Sequence, residues 1–180
     1  QEKDGHWDGA KYGDTNSEHS CSDQGQSGLA VLAFLAAGHT PKIGKYKNTV
    51  KIGLDWILSQ QNPDGSLGPK HRDHSIYENS ICILTLAEAY GMFPDPKIKA
   101  AAQKGVDYLA NIEPGKVHYG LNKDKVPLSM SVLGWMMMAF KSSKIAGLKI
   151  PEETFANFKA RVDEMTTKDQ SGNPQKTNYM

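Results

Sequence analysis

Six apolar stretches of two alternating kinds run along this chain, and that alternation restricts its fold more than any other feature. Residues 24–38, 75–91 and 128–146 are apolar nearly all round. A helix of that character has to be covered on several sides. Between them, residues 46–61, 97–111 and 152–166 are apolar on one face only. Val50, Leu54 and Ile57 fall at i, i+4 and i+7, and Ile98, Ala102, Val106 and Leu109, and Phe155, Phe158, Val162 and Met165, likewise keep to one helix face. Lys47, Lys51, Asp55, Lys99, Lys104, Lys159 and Arg161 occupy the other face. No stretch alternates with the period of a strand, which predicts six helices and no sheet.

The stretches also repeat as pairs. Gly53 and Gly105 are 52 residues apart, Asp55–Trp56 and Asp107–Tyr108 are 52 apart, and Gly38 and Gly91 are 53 apart. A unit of one buried and one amphipathic helix, repeated three times, predicts an inner row of helices shielded by an outer row, in a single domain over residues 1–180. Gly38 and Gly91 stand where left-handed helix caps belong, and Pro127 and Pro151 where a first helical turn tolerates a missing N–H. Glu152 and Glu153 suit the positive end of a helix dipole.

A second repeat is laid over the first. The segment QEKDGHW at Gln1 returns as QNPDGSL at Gln61, with Asp4–Gly5 matching Asp64–Gly65 and Leu67 replacing Trp7. A degraded copy surrounds Glu113, Pro114, Gly115 and Tyr119, and a fourth begins at Ser171–Gly172. Asp-Gly supplies a residue that adopts positive φ as the chain leaves a helix. The glutamine amide suits the free backbone groups of a neighbouring helix, and the aromatic ring can cover the joint. On this account Gln1, Trp7 and Gln61 hold repeats together. Gln1 should then close an outer helix that precedes it, so the chain is expected to be a piece of a longer repeat array.

Glutamine, Asp-Gly and an aromatic in this order resemble the QW motif of the squalene cyclase and protein prenyltransferase superfamily. GLAVLAFLAAGHT, GKYKNTVKIGLDWILSQQNPDGSLG and LTLAEAYGM are further similar to bacterial prenyltransferase/squalene-oxidase-repeat proteins of unknown function. The resemblance implies an all-α fold, a partial α/α toroid of three helical hairpins, in a larger exported bacterial protein. It implies a non-catalytic binding or scaffold module, because the DxDD tetrad of the cyclases is missing. An alternative it leaves open is a terpenoid- or lipid-binding domain, or an enzyme, with its site between the inner helices.

The composition and the remaining motifs set the bounds on chemistry. Lys and Arg total 21 against 20 acidic residues, so the net charge points to no nucleic-acid partner and to no anionic membrane. The longest apolar run, Leu29 to Gly38, is far shorter than the roughly 20 residues that span a bilayer. Cys21 and Cys82 permit one disulfide. His19, Cys21 and Asp23 lie close together, as do His71, Asp73 and His74, but neither run has the Asp-x-Cys pattern of the prenyltransferase zinc, so no metal and no cofactor is expected. Cys21 and Gln24 have the spacing of the internal thioester of complement-like domains, an alternative that Asp23 in place of glutamate weakens.

One rim follows from the hairpin geometry. Inner helices that run the same way gather their first turns at one mouth, bringing His19, Cys21, Asp23, Gln24, His71, Asp73, His74 and Tyr77 together with Lys125 and Ser129. That rim suits a polar or carbohydrate-like ligand or a protein partner. Trp135, Met136, Met137, Met138 and Phe140 read as core, with a flexible apolar pocket as the alternative. The open flanks of a partial ring suggest self-association.

Overall fold

A computed structural model describes residues 1–11, 22–69, 75–112 and 130–177. These residues form six helices: α1 (Asp23–Ala36), α2 (Lys47–Ser59), α3 (Ser75–Met92), α4 (Pro96–Ala110), α5 (Met130–Ile145) and α6 (Thr154–Met165). Each lies within three residues of its sequence-derived bounds, and the fold is all-α as expected.

Their sidedness is also as read from the pattern. In α2 the buried positions are Val50, Gly53, Leu54 and Ile57, and in α4 they include Ile98, Ala102, Gly105, Val106 and Leu109. The helix α3 lies between α1 and α5 and is backed by α4, while α1 packs on α2 and α5 on α6. Gln24 and Gly28 of α1 meet Cys82 and Thr85 of α3, and Tyr77 and Glu88 of α3 meet Trp135 and Ser142 of α5. Contacts advance in the same direction on each pair, so α1, α3 and α5 run parallel. Their shared core holds Val31, Ile83, Leu86, Leu133, Met136 and Phe140, all at most 2 % exposed.

Two helix ends differ from the pattern. The cap expected at Gly91 does not form, because α3 continues to Met92 and stops ahead of Pro94. The left-handed glycine that does match Gly38 is Gly147 after α5, where the Leu148 N–H returns to the Ser143 carbonyl as the His39 N–H returns to that of Phe34. Pro151 does not open α6 either. It sits in a turn whose carbonyl accepts from the Thr154 N–H. The proline that does enter a first turn is Pro96, with the Asp95 carboxylate accepting from the Lys97 and Ile98 N–H groups. Pro127 lies outside the described residues.

The expectation of no sheet is corrected by one short hairpin, β1 (Thr166–Lys168) paired antiparallel with β2 (Pro174–Thr177). Its turn is the fourth motif copy. The Asp169 N–H bonds the Asn173 carbonyl, the Gly172 N–H bonds the Asp169 carbonyl, and Gly172 has φ +83°. Asn62, Ser66 and Gly65 (φ +91°) make the same pair of bonds, and so do Glu2, His6 and Gly5 (φ +109°). Lys168 pairs with Pro174 where Gln61 bridges Leu67. The turn is kept although Lys168 has replaced glutamine, because three residues and one positive-φ glycine suffice to build it. Strand alternation cannot reveal a ladder this short.

Candidate functional site

The motif residues are engaged in joints between repeats. The amide of Gln61 donates one N–H to the Gly65 carbonyl (3.2 Å) and one to that of Ala101 in α4 (2.8 Å). Gln1 does the same with Gly5 (2.9 Å) and Thr49 in α2 (3.0 Å). Both donors of each amide are therefore used. The turn glycines rest on helix backbone: a Cβ on Gly65 would sit 2.2 Å from the Lys104 carbonyl oxygen, and one on Gly5 would sit 2.3 Å from that of Ile52. From there the chain crosses to the inner row. The Leu67 backbone exchanges two bonds with the Asn79 side chain of α3 (2.6 and 3.1 Å), and the Trp7 N–H donates to Ser27 of α1 (2.9 Å). In the first turn His6 donates to Asp4 and holds its carboxyl below the usual carboxylate range.

Of the predicted rim, His19, Cys21, His71, Asp73 and His74, with Lys125 and Ser129, lie outside the described residues. Asp23 accepts from the Gly9 N–H (2.9 Å), an anchor for the first motif segment. Gln24 is buried against Gly68. Tyr77 meets the Trp135 ring edge-on at 5.6 Å. These three described members are thus placed in packing contacts, each with a different partner. Cys82 is a free thiol donating to the Gln24 carbonyl (3.3 Å), and burial, with Glu78 nearby, pushes it far above the ordinary thiol range. It is therefore a poor nucleophile. Among the described residues no group of three or more His, Cys, Asp or Glu side chains is placed to hold a metal ion, and no helix is long and apolar enough to cross a membrane.

A concavity lies at the other end of the inner row. Leu32, Leu35 and Ala36 of α1, Leu84 and Met92 of α3, and Met138 and Ile145 of α5 line a groove of about 420 Å³. Its polar groups are Lys141, Glu88 and the Ser142 hydroxyl, which donates to Glu88 (2.6 Å). The groove explains why the inner helices are apolar all round. One face of each meets an outer helix, one flank of α1 and α5 and both flanks of α3 meet an inner neighbour, and a further face lines the groove. It also divides the WMMMAF run: Met136 and Phe140 are core, whereas Met138 is 44 % exposed in the groove. The run itself was the signal for this site, but helix periodicity does not separate a buried face from a groove-lining one.

A smaller cleft of about 330 Å³ opens between α2 and α4, lined by Lys42, Lys51, Asp55, Phe93, Asp95 and Lys97 among others. The same place in the next repeat is bridged by hydrogen bonds. Gln103, 52 residues after Lys51, exchanges two bonds of 2.9 Å with the Lys149 backbone and bonds Asp107, whereas Lys51 bonds only Asp55 among the described residues.

No protein-family model matches the chain, and no curated protein and no solved structure matches it either.

Proposed function

We propose that this chain is a non-catalytic binding module of the squalene cyclase and prenyltransferase repeat type, and that its ligand lies along the groove between α1, α3 and α5. The observation that carries the reading is the groove itself. It falls within the volume range of small-molecule sites, is walled by leucine and methionine, and carries a small convergent polar set at one place, Glu88, Ser142 and Lys141. Such a site fits an elongated apolar ligand with one polar group, an isoprenoid-like or fatty chain. Flexible methionines on two of its walls adapt to differing shapes. The absence of a DxDD tetrad supports binding over cyclisation. The resemblance alone supports placing the module in a larger exported bacterial protein.

The experiment is titration with a fluorescent apolar probe, together with native mass spectrometry of the purified protein. One probe per chain, displaced by a fatty acid or an isoprenoid alcohol, is the expected result. Leu84→Asp should weaken the probe by about tenfold or more, since it puts a carboxylate on the apolar wall. Probe binding that is absent, or indifferent to Leu84→Asp, would remove the reading.

A further inference from the structure

The connections α1–α2, α3–α4 and α5–α6 lie side by side at the end where the groove opens. The Lys42 ammonium stands 5.0 Å from the centre of the Phe93 ring, and a Cβ on Gly91 would touch that of Ala146 at 3.7 Å. Ala36, Met92 and Ile145, at the mouth of the groove, belong to the last turns that feed these connections.

Each connection pairs an exposed apolar tip with exposed lysines. The first presents Ile43, 66 % exposed, and Tyr46, 41 % exposed, among Lys42, Lys45 and Lys47. The second presents Met92, 42 % exposed, with Lys97. The third presents Ile145, 79 % exposed, with Lys141, Lys144 and Lys149. Lys42, Lys45 and Lys144 lie over the rings of Phe93, Tyr46 and Phe155, and none of the three has a carboxylate within ion-pair distance among the described residues.

The acids at this end are few and partly engaged. Asp95 caps α4, Glu88 accepts from Ser142, and Glu152 and Glu153 follow Lys149. The carboxylates that balance the net charge are carried elsewhere, many of them by the motif segments at Glu2, Asp4, Asp8 and Asp64. A chain with almost no net charge therefore presents one end where the seven lysines named here outnumber the four carboxylates.

We propose that this end docks on an anionic lipid bilayer. The two components select the partner together. Lysines are drawn to phosphate headgroups, and isoleucine, methionine and tyrosine tips gain by entering the region just beneath them. A soluble polyanion would meet the lysines and leave Ile43 and Ile145 in water. Docking in this orientation brings the groove mouth to the bilayer, but the surface does not depend on what the groove holds.

Sedimentation with vesicles tests it, using phosphatidylcholine alone and phosphatidylcholine mixed with phosphatidylglycerol. The expected result is binding to the mixed vesicles about tenfold or more above the neutral ones, declining as salt is added. Lys42→Glu with Lys45→Glu should lower it about tenfold or more, and Ile43→Ser several-fold, with helix content unchanged by circular dichroism because all three side chains are exposed. Equal affinity for neutral vesicles, or none for either kind, overturns the proposal. So does tight binding of polyphosphate that ignores Ile43→Ser. Leu84→Asp separates this proposal from the groove: it should weaken probe binding about tenfold or more and leave vesicle binding and helix content intact, and a loss of both with helix content retained would overturn an independent docking surface.

Discussion

The joints at Gln1 and Gln61 share their backbone and differ in their cover. In both, one amide ties a turn to the next outer helix, and a positive-φ glycine presses on a helix carbonyl one turn further along. Thr49 and Ala101, Ile52 and Lys104, and Gly53 and Gly105 are each 52 residues apart, so the docking surfaces repeat strictly. The motif itself repeats after 60 residues, and the difference falls between the motif and the inner helix. Trp7 covers the first joint, half-buried against Phe34 at 6.2 Å, with one bond to Ser27. Leu67 covers the second, 2 % exposed, with two bonds to Asn79. The backbone geometry therefore tolerates different covers, and the more deeply buried joint is the one whose backbone groups are more fully bonded.

Substitution of the turn glycines probes that contrast most strongly. Gly65→Ala forces an L side chain into positive φ and into the Lys104 carbonyl, at a cost of about 3 kcal/mol or more, seen as a lowered urea midpoint. Gly5→Ala meets the same clash at a segment held by fewer contacts. It should release residues 1–9 locally, raising hydrogen exchange at the Trp7 amide with little change in the global midpoint. Equal global losses would show that the two joints are equally central.

The covers give the next largest difference. Asn79→Ala strands a buried N–H and a buried carbonyl on Leu67 and should cost about 2–3 kcal/mol, whereas Ser27→Ala strands one N–H for about 1 kcal/mol. The amides follow. Gln61→Ala should cost about 1–2 kcal/mol and the more exposed Gln1→Ala about half that, both read by chemical denaturation. A larger loss at Gln1 would reverse the ranking of the joints.

Much of the fold was legible in the sequence because helix periodicity is local. Val50, Leu54 and Ile57 declare a face without reference to any neighbour, and Asp-Gly declares a turn. The candidate site was legible only in part. The run at Trp135 to Phe140 marked a wall of the groove, but Leu84 and Leu32 have the same local pattern as core leucines. Two of the three glycine and proline helix boundaries that the structure describes also moved, from Gly91 to Gly147 and from Pro151 to Pro96, because a residue permissive for a cap does not oblige the helix to end there.

By itself the sequence determined six helices, their order, their sidedness and the turns of positive φ, all of which follow from interactions within a few residues. Only the tertiary structure decided which carbonyl, 40 residues away, receives the Gln61 amide, which face of the inner helices stays uncovered, and that the lysines of three separate connections share one end. The reason is one of range. Periodicity and backbone preference act along the chain, whereas a groove or a charged surface exists only once helices far apart in sequence are set side by side.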